Sequence, residues 1–148
     1  MKSARRRARE LALQALYQWQ MNPAEVATLL GQLATQPHFM RADRDFLERL
    51  LKTVLAESVT LDERLTPCLD RPVKQLSPVE RAILWIAAVE FREFPETPFR
   101  VILNEAIDLA KHFGGTDGHR YVNGVLDRLA GLERPDERRP QPSPPGND

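Results

Sequence analysis

The chain has 148 residues, 42% of them hydrophobic and 28% charged, and its 21 basic and 21 acidic side chains cancel to a formal net charge of zero. That length suits one domain with one real core and leaves no room for a second catalytic domain. With no net field, affinity for a polyanion has to come from local clustering of charge.

Cys68 is the only cysteine, so neither a disulfide framework nor a set of thiolate ligands can be assembled, and a reducing compartment fits. The basic start from Met1 to Arg9 runs into a segment broken by Gln14, Gln18 and Gln20, which is unlike the apolar region of a signal peptide. No stretch approaches the roughly 18 apolar residues of a membrane span. The expectation is a cytoplasmic protein.

In chain order, Ala8, Leu11, Ala12, Ala15, Leu16 and Trp19 have the three-and-four spacing of a helix stripe, predicting a first helix from Ser3. Asn22-Pro23-Ala24-Glu25 reads as a capping box with proline at the first helical position, opening a second helix through Leu29, Leu30 and Leu33. Phe46, Leu47, Leu50, Leu51, Val54 and Leu55 predict a third. Thr60-Leu61-Asp62-Glu63 is another capping box, opening a short fourth helix disturbed by Pro67. Ser77-Pro78-Val79-Glu80 is the clearest helix start in the chain. Ala82 to Val89 after it is apolar almost all round, as expected at the centre of a bundle. Thr97-Pro98 opens a sixth helix that Gly114-Gly115 ends with a positive backbone dihedral, and a seventh runs from an Asp117 cap to Gly131. No alternating strand pattern and no solenoid repeat is present. The expected fold is all-α, about seven helices over residues 1–133, with residues 134–148 as a disordered proline-rich tail.

The missing charge cluster is Lys2, Arg5, Arg6, Arg7 and Arg9, five cations before the first acid at Glu10. Helical spacing fans these arginines around a helix end, where they cannot all be paired internally. Guanidinium forks match phosphate oxygens and stack on bases. A basic terminus is as readily a solvated face, but here the next turns carry Gln14, Tyr17, Gln18 and Gln20, groups suited to base contact. A second cluster, Asp117-Gly118-His119-Arg120-Tyr121-Val122-Asn123, crowds a helix start whose exposed N–H groups favour phosphate. Each member also has a plain structural role open to it: cap, core ring or helix-to-helix hydrogen bond.

Catalytic arrangements are not found. His38, His112 and His119 form no i,i+4 metal pair, and Gly114-Gly115 lacks the spacing and lysine of a phosphate loop. Glu90, Glu93, Glu105 and Asp108 read as solvated helix faces. No enzyme, metal or cofactor is expected.

Arg5 through Tyr17, Ser77 to Glu90, and Asn104 through Asp127 with Phe113-Gly114 and Tyr121-Val122-Asn123-Gly124 together resemble the N-utilisation substance B (NusB) family of transcription antitermination factors. The resemblance covers about Lys2 to Ala130. It implies a seven-helix fold of two small subdomains that binds the boxA element of ribosomal-RNA leader transcripts. The implied partners are the small-subunit ribosomal protein known as NusE and the RNA polymerase antitermination complex. Its RNA surface would use Arg5, Arg6, Arg7, Arg9 and Tyr17 with Asp117, His119, Arg120, Tyr121 and Asn123, and Glu80 would face the protein partner. Trp85 stands where a basic residue is expected in the family, and Tyr121 where phenylalanine is common. The readings from other classes are a helical adaptor that binds only protein and a DNA-binding regulator.

Overall fold

The computed structural model describes residues 2–115 and 117–138. Among them it forms seven α-helices and three short 3-10 turns, with no strand. Helix α1 (Ala4–Met21) starts where the Ser3 hydroxyl accepts the Arg6 N–H at 3.1 Å. Its predicted stripe is buried from Ala8 to Leu16.

Helix α2 (Val26–Leu33) begins later than the proposed Asn22 box, with Glu25 at the cap position and no side-chain cap. Asn22 is already engaged as the C-cap of α1, its N–H bonded to the Gln18 carbonyl at 2.8 Å. A 3-10 turn (Phe39–Arg41) leads to α3 (Arg44–Leu65), capped by Asp43, which accepts the Phe46 N–H at 3.1 Å.

The predicted third and fourth helices are one element, bent at Glu57, whose φ of −124° and ψ of 21° leave the helical region. The box at Thr60 is not used, because Thr60 lies within α3, where the backbone is already helical and no helix start is left to cap; Asp62 serves elsewhere. Its carboxylate takes the Trp85 indole N–H at 2.9 Å and the Arg81 guanidinium at 2.5 Å.

Two further 3-10 turns (Thr66–Cys68 and Val73–Gln75) lead to α4 (Pro78–Glu93). Here the predicted cap forms, with the Ser77 hydroxyl accepting the Glu80 N–H at 3.1 Å. Ala82 through Phe91 are all buried, and α4 packs against α1, α3, α5 and α6. Trp85, at the position where a basic residue was expected, is wholly buried, edge-on to Trp19 at 5.8 Å and covered by Arg81 at 4.8 Å. Its one polar atom has a partner, which is what burying an indole requires.

Helix α5 (Phe99–Phe113) and α6 (Gly118–Glu133) pack on α4 and on each other. Thus α1–α3 and α4–α6 make two groups that share one continuous core. Gly114 ends α5 with an extended φ of −88° and not the positive dihedral expected. The reason for glycine there is space: a Cβ would lie 2.7 Å from the Ala110 carbonyl oxygen.

The tail expectation is corrected for its first residues. Arg134 is buried, and Pro135–Arg138 form a short α7. The Arg134 guanidinium donates to the carbonyls of Phe91 at 2.8 Å, Thr97 at 3.0 Å and Phe94 at 3.1 Å, and to the Glu137 carboxylate at 2.5 Å. Those bonds offset the several kcal/mol that an unpartnered buried cation would cost. Glu137 in turn accepts the Phe99 N–H at 3.0 Å, capping α5 from the far end of the chain. Arg139 to Asp148 of the expected tail lie outside the described residues.

Candidate nucleic-acid interface

The arginines of α1 divide by direction. Arg9 points inward: its Nε and Nη2 grip Glu90 at 2.9 and 2.6 Å, and the two side chains are 4% and 1% exposed. That corrects both its place on the RNA surface and the reading of Glu90 as a solvated residue. Arg6 lies against α5, bonded to Glu105 at 3.0 Å and to Asp108. Burial pulls the Arg6 pKa down, but those two carboxylates outweigh it and hold the pKa above its usual value.

Arg5 is half-buried, stacked 4.6 Å over Phe46 and 5.3 Å over Phe94, with Nη1 donating to the Thr97 hydroxyl at 3.3 Å. Its Nε is 3.8 Å from Asp43. Lys2 pairs with Glu10 at 2.8 Å. Arg7 is the exception, because its partner is not a carboxylate: Nη1 lies 3.1 Å from His38 Nδ1. A guanidinium can only donate, so Nδ1 accepts. The arginines are thus not all paired with acids, but Arg6 and Arg9 are, their charge spent on Glu105, Asp108 and Glu90.

Tyr17 is 42% exposed. It borders a groove of about 440 Å³ that Leu13, Gln14, Gln18, Val79 and the α5 terminal residue Phe113 also line. Phe113 is 44% exposed, so two aromatic rings stand open beside two amides. Gln20 does not join them; it ties α1 to α4 by donating to the Pro78 carbonyl at 2.8 Å.

At the start of α6, Arg120, Asn123 and Asp117 are exposed and His119 is half-buried. Asp117 holds the cap position but makes no side-chain cap bond. Tyr121 is half-buried, its hydroxyl enclosed near Asp70 without a well-formed hydrogen bond among the described residues and its ring covered by the Arg71 guanidinium at 4.4 Å. Burial raises its pKa, and the charge of Asp70 adds to the rise. Glu80, in the first turn of α4, faces this helix start: a Cβ on Gly118 would lie 3.3 Å from its carboxylate.

The two clusters are not in hydrogen-bond contact among the described residues; α5 links them. Arg6 rests on its Glu105 and Asp108, and its last residue, Phe113, lines the Tyr17 groove before the chain turns into α6. Sequence reading missed His38, the partner of Arg7 at the head of the 3-10 turn, and the cations Arg41 and Arg44 that follow in the chain. The available signal was a scarcity of acids: from Leu11 to Ala42 the only one is Glu25.

Residues 6–131 match the NusB family. The chain is 55% identical over 136 residues to the transcription antitermination protein NusB of Burkholderia lata, covering 92% of this chain and 94% of that one. The Burkholderia ambifaria protein of the same name matches at the same identity and coverage. Among solved structures, a T. maritima NusB superposes with a TM-score of 0.79 at 26% identity, covering 93% of this chain and 98% of the other. A structure of the antitermination factors NusB and NusE in complex with dsRNA gives a TM-score of 0.74 at 19% identity over 86% and 96%, a likeness of fold. With the helix order, the basic α1 and the α6 start all in place, this chain belongs to the NusB family.

Proposed function

We propose that this chain is an RNA-binding transcription antitermination factor. It would act in the cytoplasm on the boxA element of nascent ribosomal-RNA leaders, together with the small-subunit ribosomal protein NusE, and help RNA polymerase read through terminators. The reading follows from family membership and from relatives named for antitermination, one of them solved with NusE and RNA. The activity is binding, with no catalytic step.

The observation that carries it here is the open Tyr17 groove. A half-exposed ring beside free amides and a second open ring is a stacking platform for unpaired bases, since every base has a π-face. In this reading Tyr17 stacks, Arg5 and Arg7 meet phosphates, and Arg120, His119 and Asn123 hold the strand at the α6 end. Arg6 contributes only what Glu105 and Asp108 leave of its charge. Tyr121 gives its ring only where Arg71 moves aside, and Glu80 supports the α6 start beside the protein partner's face.

The test is affinity for a boxA-like single-stranded RNA, a scrambled RNA and duplex DNA, each with and without the ribosomal protein. Selective binding of the boxA-like RNA, strengthened by the ribosomal protein, is expected. Tyr17→Ala is expected to cost roughly 1–3 kcal/mol of RNA affinity with an unchanged melting temperature. Preference for duplex DNA, or no binding to any nucleic acid, would overturn the reading in favour of a regulator or a protein adaptor.

A further inference from the structure

The acid-poor stretch from Leu11 to Ala42 folds into two facing walls, the later turns of α1 and the whole of α2 with the 3-10 turn that follows. Between them runs a second groove of about 320 Å³, lined by Gln14, Gln18, Gln32 and Gln36 over Leu29 and Leu33. All four glutamines are exposed. None of their side-chain amides bonds to the protein among the described residues, whereas that of Gln20 bonds to the Leu16 and Pro78 carbonyls.

The groove has a cationic end. Residues 7, 14 and 18 fall on one line of a helix, and that line is about 16 Å long. Arg7 therefore stands at the head of the row that Gln14 and Gln18 continue. Its contact with His38 ties it to the turn after α2, and Arg44 lies 5.7 Å over the ring of Phe39 in that same turn. Arg41 is exposed beside them. The Asp43 N–H bonds to the Ala4 carbonyl at 3.0 Å and fixes the turn against α1. The Asp43 carboxylate is engaged in capping α3 and facing Arg5. Arg7, Arg41 and Arg44 make no ion pair among the described residues.

We propose that this α1–α2 groove and its arginine rim are a second subsite for single-stranded RNA, taking nucleotides that flank the segment at Tyr17. The inference rests on the RNA-binding reading above and extends it. Gln14 and Gln18 line both grooves, so one strand passes from the first to the second without a break. Amides offer a donor and an acceptor together, which base edges match and an acidic peptide does not need. Arg7, Arg41 and Arg44 supply the phosphate contacts, with no carboxylate among the residues that line the groove to repel the backbone.

The experiment measures affinity over a salt series for the boxA-like RNA and for the same RNA lengthened at both ends by unstructured nucleotides. The proteins are the full chain, Arg41→Glu/Arg44→Glu and Gln32→Ala/Gln36→Ala, each checked for unchanged helicity and melting temperature. The full chain is expected to bind the longer RNA more tightly. The charge reversal should weaken that binding about tenfold near physiological salt and flatten its salt slope by roughly 1.4, for two phosphates at roughly 0.7 each. The glutamine pair should lose the gain from lengthening without altering the slope. A full chain that binds the short RNA and gains nothing from the flanks overturns the subsite alone, as do variants that bind the longer RNA like the full chain. A full chain that binds neither RNA overturns the functional reading itself.

Discussion

Two arginines two residues apart on α1, and so on opposite sides of the helix, meet opposite surroundings. Arg9 is locked against Glu90 inside the core, and Arg7 faces the turn after α2 with only a histidine beside it. The same contrast separates two sides of the molecule. Toward α4 and α5 the basic terminus is wired inward through Glu90, Glu105 and Asp108. Toward α2 it meets His38, at the head of the turn that carries Arg41, with Arg44 just beyond and the Asp43 carboxylate already engaged. A run of like charges in sequence thus serves two purposes: one set of cations fastens α1 to the bundle, and the other leaves a surface potential. Only the second set is available to a phosphate.

The inward side should carry the largest effect on stability. Removing one partner of a buried pair strands the other charge, so Arg9→Ala is expected to cost about 3–5 kcal/mol in chemical denaturation. Arg7→Ala should remain within about 0.5 kcal/mol of the parent, as a surface substitution at a half-buried residue with no buried partner. Equal losses from the two variants would erase the distinction between the two sides.

Arg134 is next in size and belongs with the inward set. Truncation after Glu133 removes the guanidinium that satisfies three carbonyls of the α4–α5 turn, together with the Glu137 cap of α5. A lost cap is worth about 1 kcal/mol, and an unsatisfied buried carbonyl about 1–3 kcal/mol where water does not replace the donor. The truncated chain should melt clearly lower, while truncation after Arg138 should leave the melting temperature unchanged. Coincident melting curves for the two truncations would return Arg134 and Glu137 to the tail.

What could be read from sequence follows the reach of each interaction. Ser77 capping Glu80 is three residues long, and the stripe of α1 repeats every turn, so both were legible. The capping box at Asn22 failed because α1 had claimed that residue one step earlier. Arg9 with Glu90 and Arg134 with Phe91 are separated by 81 and 43 positions. No local pattern distinguishes such a buried arginine from an exposed one, and the site was therefore overdrawn by Arg9. Tyr121 was legible as an aromatic at a helix start, but its cover by Arg71 comes from a loop fifty positions away.

The outward side is tested by salt. Each phosphate contact on single-stranded RNA contributes roughly 0.7 to the salt slope of affinity. Arg7→Ala should therefore flatten the slope by about that amount. Arg6→Ala should flatten it less, because Glu105 and Asp108 already neutralise that cation. A larger change from Arg6 than from Arg7 would mean that α5 releases Arg6 when RNA binds, which would reverse the assignment of sides.

The smallest effect expected is a pH dependence at the end of the chain. Burial pushes the Glu137 carboxyl up, but Arg134 and the Phe99 N–H outweigh it, leaving the pKa below the ordinary value of 4.5. A carboxyl whose pKa is lowered by folding stabilises the fold above its unfolded pKa, and that contribution disappears as the pH falls through the folded value. The loss should accordingly begin below about pH 4.5 and be absent at neutral pH. Glu137 is 38% exposed at its side chain, so solvent screening keeps the effect small. The measurement is denaturation of the parent and of Glu137→Gln across the acid range. The glutamine variant should start slightly less stable at neutral pH, because it keeps an acceptor for the Phe99 N–H but loses the charge facing Arg134. Its stability should then fall less steeply on acidification, and the two curves should converge. Parallel curves would show that the Glu137 charge contributes nothing, leaving Arg134 and its carbonyls to hold the α4–α5 turn alone.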